Sequence, residues 1–311
     1  MRRMESTNSA PGQGEDSRRR QNLVKGIAAI VASALGFAIM AMFVRLTDDF
    51  GQPISAFQKG FFRNAVAFAI ALVAFMRTNR EKSEDAKLNF HRPSVWMLLL
   101  ARSVLGTCGI FANFYALSHV PIADAQTLNK TAPFFTVAFA WLLFGERPSG
   151  RQAAALALAF CGVVLVAKPG FAGAAAFPLA MGLVGGACAG AAYAFLRALR
   201  KHGMSPESIV LFFSAFSCLA SIPFMAAGFD PMTWRQVAAL LGAGAGAAMG
   251  QFGITIAYGY AAPRDIAVYD YSNILFTAAL GFTFFGQVPD ALSAIGFALV
   301  IAAALRLHGR H

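Results

Sequence analysis

Five basic side chains lie inside stretches otherwise made for hydrocarbon: Arg45, Lys59, Arg63, Arg102 and Lys130. A Lys or Arg near the middle of a bilayer costs about 2.5–3.5 kcal/mol on insertion scales. It therefore faces a cavity, pairs with an opposite charge, or reaches back to the interface. Lys130 stands in "DAQTLNKTAPFF", residues 124–135. On a helix Gln126, Lys130, Pro133 and Val137 fall on one face by their spacing, with Asn129 beside them. That strip can hold an anion away from lipid; the plainer alternative is a snorkelling lysine or a structural ion pair. Arg63 and Arg102 each sit about eight residues, roughly 12 Å, into their segments and enter from opposite sides. For Arg102 a structural role stands beside ligand contact. Lys59 and Arg45 lie nearer the ends and read as snorkelling residues.

The carboxylate to set against these cations is Asp270, in "DIAVYDYSNILF", residues 265–276, where helical spacing groups it with Asn273 and Thr277. It can pair with Lys130 or Arg63, hold a substrate amine, or take up a proton as the coupling site. Asp124 and Asp265 sit at helix starts, where capping accounts for them. Asn113, Tyr193, Gln251 and Thr255 could complete a solute site, although interhelical hydrogen bonds would use Asn113, Gln251 and Thr255 equally well. Tyr269 and Tyr271 flank Asp270 two residues apart, so at most one of them lines the same cavity.

Other chemistry is missing. Cys108, Cys161, Cys188 and Cys218 lie in apolar segments without a CxxC spacing and read as small packing residues. The five histidines show no ligand spacing. Neither a metal nor a cofactor is expected, and the sequence contains no Walker loop, nucleotide fingerprint or hydrolase triad. The chain is not expected to be an enzyme. A gradient or an exchange, not ATP hydrolysis, would drive any transport.

The elements that must position these groups are membrane helices. Of 311 residues, 57% are hydrophobic and 13% charged, where soluble domains carry about 25% charged residues. Mean hydropathy is +0.57. A span needs about 20 apolar residues, and windows of that size predict ten: 23–45, 55–76, 94–118, 122–144, 149–167, 178–200, 206–228, 235–259, 264–286 and 290–307. The expected class is an all-α polytopic membrane protein. Residues 1–21 are polar and charged and read as a disordered cytoplasmic tail, not a cleaved leader. With the N-terminus inside, 19 of the 26 Lys and Arg fall in inner segments and only Lys168 and Arg235 in outer loops. That bias predicts N-in/C-in topology. The net charge of +11 is then a mark of topology, and no nucleic-acid partner is implied.

Residues 116–160 align without a gap onto 257–301, with 11 of 45 positions identical, including Asp124/Asp265, Thr136/Thr277 and Gly145/Gly286. Earlier, "FFR" at 61–63 faces "FFS" at 212–214. Each half, 22–169 and 178–307, then holds five spans. An odd number forces the halves to run in opposite directions, the inverted-repeat plan of many secondary transporters. Two glycine ladders, Gly182/Gly186/Gly190 and Gly242/Gly246/Gly250, put bare backbone on one helix face each, for sliding or for static packing.

Residues 102–166 resemble the EamA domain of the drug/metabolite transporter superfamily. The features are Arg102 early in the third span, "FYALSHVPIADA" ahead of the fourth, "PFFT" within it and "GE" after it. The second half follows more loosely, so the resemblance covers about 23–307. It departs at Gln287, where the first half has Glu146, and at "YDYSN". Members carry amino acids, nucleotide-linked compounds, vitamins and organic anions, so the resemblance leaves the solute open. Together with the polar positions it implies a cavity lined by spans 1, 3, 4, 6, 8 and 9. Five buried cations against one deep carboxylate favour a solute with at least one carboxylate or phosphate.

The function expected is secondary active transport of a small carboxylate-bearing metabolite or amino acid. Alternating access would export it across the inner (cytoplasmic) membrane, with H+ as candidate coupling ion. The chain would act within the lipid bilayer as a monomer or homodimer. One alternative is an uptake carrier or exchanger for an organic anion, nucleotide-like compound or vitamin. From another class, a non-transporting scaffold or channel competes.

Overall fold

Runs of Ala, Leu, Phe and Gly, punctuated by Pro- and Gly-bearing loops, fold among the described residues as ten helices of more than three turns. They are α1 (Gln13–Asp49), α2 (Ala56–Glu81), α3 (Pro93–His119), α4 (Ala132–Phe144), α5 (Gly150–Ala167), α6 (Ala176–Lys201), α7 (Pro206–Ala227), α8 (Trp234–Tyr260), α9 (Ser272–Phe285) and α10 (Ala291–His308). A one-turn helix, Pro263–Ile266, and a 3-10 turn, Ala267–Tyr271, lead into α9. The structure is a computed structural model describing residues 13–52, 54–81, 93–119, 128–167, 176–286 and 291–308. Six of these helices (α1, α2, α3, α6, α7 and α8) are long and apolar enough to cross a membrane, and α4 and part of α10 are shorter apolar helices.

Local chemistry explains several helix ends. The Ser208 N–H donates to the Ser205 hydroxyl ahead of α7, and Thr233 and Gln236 form a reciprocal capping box at the start of α8. Gly145 and Gly286 close α4 and α9 in the left-handed region, at φ 69° and 63°. Glycine adopts that conformation without steric cost. The two caps occupy equivalent positions of the sequence repeat.

The fourth and ninth spans differ from the continuous helices expected at 122–144 and 264–286. In the first half the Thr131 hydroxyl donates to the Leu128 carbonyl at 2.5 Å. That contact closes a turn, and α4 proper starts only at Ala132, with Pro133 in its first turn. In the second half Ile266 leaves helical geometry at φ −126° and ψ −13°, and the chain tightens into the 3-10 turn before α9. Lys130 and Asp270 therefore stand just ahead of two shortened helices. They are not a third of the way along two long ones. Gln126 and Gln287 lie outside the described residues. At the other extreme α1 starts at Gln13, so residues 13–21, expected in the tail, form its first turns.

Packing follows the small residues. α1 lies chiefly against α8, α3 against α6, α5 against α10, and α2 against α7, with α4 on α6 and α1 on α9. A Cβ built on Gly246 would stand 2.7 Å from the Met40 backbone nitrogen and 2.9 Å from the Gly36 carbonyl. The α1–α8 crossing is thus backbone on backbone, and Ser33 crosses it by donating to the Gly250 carbonyl at 2.6 Å. The ladder on α8 faces α1, and Gly190 of the ladder on α6 abuts α4, where a Cβ would meet Phe135 and the Ala132 carbonyl. Both seams join a helix of the first half to one of the second. One apolar cluster gathers Ile30, Leu99, Leu196, Leu199, Ile254 and Tyr258. A second gathers Val137, Leu156, Val268, Tyr271 and Ile274, anchoring the 3-10 turn.

Candidate functional site

Arg102 of α3 is 1% exposed and Arg63 of α2 is 6% exposed. Arg102 Nη2 donates to Gln251 Oε1 of α8 at 2.9 Å. Its guanidinium carbon stands 4.0 Å from the centroid of the Phe213 ring on α7, a cation–π distance. Gly106, one turn along α3, makes room for this arrangement. A Cβ there would come within 2.5 Å of Arg102 Nη1 and 2.8 Å of the Phe213 ring. The Nε atoms of both arginines are buried without a hydrogen-bond partner. Among the described residues no carboxylate pairs with either guanidinium. The two lie within electrostatic reach of each other and of Tyr193 on α6.

The opposite pole is built from the two helix starts. Asp270, 8% exposed, lies within electrostatic reach of Lys130 and of Tyr193. Among the described residues no direct ion pair joins Lys130 and Asp270. Tyr193 is thus within electrostatic reach of Arg63, Arg102 and Asp270 alike. Its ring packs edge-on against Tyr258, with centroids 6.2 Å apart, and the Thr136 hydroxyl of α4 donates to the Ala132 carbonyl at 2.8 Å.

Several expected site residues have their polar groups engaged elsewhere. Asn273 Nδ2 donates to the Ala34 carbonyl at 2.7 Å, which ties α9 to α1. The Thr255 hydroxyl donates back to the Gln251 carbonyl at 2.6 Å, and Gln251 serves Arg102. Tyr271 is fully buried in the second apolar cluster with its hydroxyl unpartnered. Tyr269 is half-buried and packs against both clusters. Asn113 is half-buried, with a buried Oδ1 that finds no partner, and Asn129 is half-buried beside Lys130.

Sequence reasoning missed Phe213 and a layer of hydroxyls between α3 and α7. Ser103, Thr107, Ser214, Ser217 and Ser221 are all buried. Thr107 and Ser217 share a hydrogen bond at 2.7 Å, whereas the Ser103 and Ser214 hydroxyls have no partner. The signal was present in "SAFSCLAS", 214–221, whose serines recur three and four residues apart on one helix face.

The bundle is cross-linked between its halves at both ends. At one end Glu146, after α4, pairs with Arg197 Nε at 3.5 Å and with Lys201, both on α6. Arg197 also donates to the Tyr258 carbonyl at 2.6 Å. Gln152 donates to Asp265 at 2.6 Å, and Arg264 to the Arg147 carbonyl at 3.1 Å. At the other end Gln58 and Asp230 exchange bonds of 2.9 and 3.0 Å, and Gln236 donates to the Thr47 and Gln52 carbonyls. The contacts named at the first end include ion pairs, whereas those named at the second are hydrogen bonds.

Six helices long and apolar enough to cross a membrane set the frame for comparison with known proteins. A model of the EamA-like transporter family matches residues 24–168. The pseudopaline exporter CntI of Pseudomonas aeruginosa is 30% identical over 286 residues, 92% of this chain and 96% of that protein. The chain belongs to the EamA-like transporter family. A riboflavin transporter of Rhizobium johnstonii is 31% identical over 209 residues, 66% of this chain and 68% of that one. A solved crystal structure superposes with a TM-score of 0.72 at 18% identity, covering 89% of this chain and 96% of the other, which speaks to the fold alone. This EamA chain is a multi-pass membrane protein and a transporter of small solutes.

Proposed function

We propose that this EamA protein is a secondary carrier that exports a carboxylate-bearing metabolite or amino acid across the cytoplasmic membrane by alternating access. The observation that carries the reading is the charge balance of the site among the described residues: buried Arg63 and Arg102 and half-buried Lys130 against the carboxylate of Asp270. Charges buried in a membrane protein need a partner, and an anionic solute supplies one. Lys130 also stands just ahead of the α4 N-terminus, where the helix dipole favours negative charge. A relative named as an exporter supports the direction.

The machinery proposed is a pair of inverted repeats, 22–169 and 178–307, behind a cytoplasmic tail, N-in/C-in. Its support is the pairing of helices. If α1 corresponds to α6 and α3 to α8, the α1–α8 and α3–α6 crossings are one contact seen twice, and the α4–α6 and α9–α1 contacts match in the same way. The left-handed caps at Gly145 and Gly286 also correspond. Asp270 is the candidate proton site because it is buried, and its neighbour Lys130 makes no direct ion pair with it.

Counterflow in proteoliposomes, screened with a mixed solute library, tests the reading. Lys130→Ala should lower exchange of the identified solute at least about 100-fold, the scale of a lost charge-assisted contact. An exchange rate equal to the parent protein would end the assignment of Lys130. In the same vesicles Asp270→Asn should retain exchange and lose accumulation driven by a pH gradient; intact pH-driven accumulation removes Asp270 from coupling.

The ionic end of the bundle serves as the closed gate in this scheme. Glu146→Gln keeps the shape and removes the charge that holds Arg197 and Lys201. Amide hydrogen exchange across 146–149 should then quicken roughly tenfold, the equivalent of about 1.4 kcal/mol of local opening, with the centre of α5 unaffected. Unchanged exchange in that loop would rule out the gate.

A further inference from the structure

We propose that the Arg63–Arg102 pole is a subsite for a dianionic group, either two neighbouring carboxylates or one phosphoryl group, so that the carrier selects solutes with two negative charges at one end. This rests on the carboxylate reading above and deepens it. Both guanidinium groups are more than nine-tenths buried, and both keep a buried Nε without a hydrogen-bond partner. They are like charges within electrostatic reach of one another, and among the described residues none supplies a carboxylate to either.

What the protein does supply is neutral. Gln251 accepts one N–H of Arg102, the Phe213 ring covers its plane, and Tyr193 lies within reach of both arginines. Arg63 has no hydrogen bond to any described side chain, and its counterpart in the other repeat is Ser214, a buried hydroxyl also without a partner. Asp270 lies within electrostatic reach of Lys130 and Tyr193 and, among the described residues, makes no ion pair with either arginine. Compensation of two positive charges is thus left to the solute at this pole, whereas at the other the Asp270 carboxylate stands against the single charge of Lys130. A guanidinium presents a planar fork that matches carboxylate and phosphate edges in a bidentate manner. A dianion therefore satisfies two forks where a monoanion leaves one charge buried and unpaired.

The test is thermal protection of the purified full-length protein at matched ionic strength by three probes: butyrate, succinate and glycerol phosphate. Succinate or glycerol phosphate should protect at concentrations at least tenfold below butyrate, and whichever does so identifies the dicarboxylate or the phosphoryl form. Arg63→Gln and Arg102→Gln should each erase that preference. Lys130→Ala should weaken all probes alike and leave it standing. Arg63→Lys, which keeps the charge and loses the fork, guards against a simple folding defect and should retain part of the preference. Equal protection by butyrate and the dianions overturns the dianion assignment while leaving the carboxylate reading intact. A preference that survives Arg63→Gln also overturns it. Protection by none of the three overturns both.

Discussion

Arg63→Met should raise the unfolding temperature of the purified protein while lowering solute exchange by at least about 100-fold. The two effects share one cause. Arg63 is buried, its Nε is unpartnered, and among the described residues it makes no ion pair. Its charge therefore costs folding free energy that nothing in the described protein returns. Replacing a poorly compensated buried charge by an apolar side chain of similar length is often stabilising, by about 1–4 kcal/mol. The same replacement removes one of the three cations on which an anionic solute depends. Arg151→Met, on an exposed stretch of α5, is the control and should change stability by no more than about 0.5 kcal/mol. A loss of stability in Arg63→Met comparable to that of a broken buried pair would mean that Arg63 is structural, and the anion site would lose its strongest member.

Gly246→Val should destabilise the protein by about 3 kcal/mol or more and prevent recovery of a monodisperse protein from detergent. The added Cβ would stand 2.7 Å from the Met40 nitrogen and 2.9 Å from the Gly36 carbonyl. Both are backbone atoms. A clash with a side chain can be relieved by a rotamer change, but this one requires α1 and α8 to separate along their whole crossing. Overpacking a close-packed interior typically costs about 1–3 kcal/mol even where side chains can move. Separation would also lengthen the Ser33 bond to the Gly250 carbonyl and the Asn273 bond to the Ala34 carbonyl. Gly150→Ala is the control, since a Cβ there meets nothing within 4 Å, and it should alter stability by about 1 kcal/mol at most. Normal yield and unfolding temperature in Gly246→Val would show that the crossing is looser than the geometry requires.

The cations of the proposed site stand out in the sequence because a charge in an apolar run has few physical explanations. Arg63, Arg102 and Lys130 are singled out on that ground, and the structure buries the two arginines and leaves Lys130 half-buried. The neutral polar residues were harder to read. Asn273 reads as a cavity group, and Thr255 as either a cavity group or a helix–helix hydrogen bond; in the fold each spends its side chain on a backbone carbonyl. A lone amide or hydroxyl in a membrane helix can satisfy itself on its own helix or a neighbour, and nothing in a linear pattern distinguishes those partners from a solute. Phe213 was passed over for a related reason. In a chain with 30 phenylalanines, only the fold shows which ring lies over a guanidinium.

What the sequence determined by itself is the class of protein and, among the described residues, most of the limits of its helices, six of which are long and apolar enough to cross a membrane. Apolar run length and turn residues are local quantities, and the membrane leaves helices as the ready way to satisfy the backbone of such runs. The breaks before α4 and α9 were beyond it, because the strings 122–144 and 264–286 are apolar enough to read as unbroken spans. Only the folded chain shows Tyr271 and Val268 drawn into the cluster with α4, α5 and α10, with a 3-10 turn at Asp270 where an α-helix was expected. Tertiary structure likewise decided that Arg102 leans on Gln251 and Phe213, from helices more than a hundred residues away. Burial and pairing depend on which helices become neighbours, and that is a property of the packed bundle, not of any one segment.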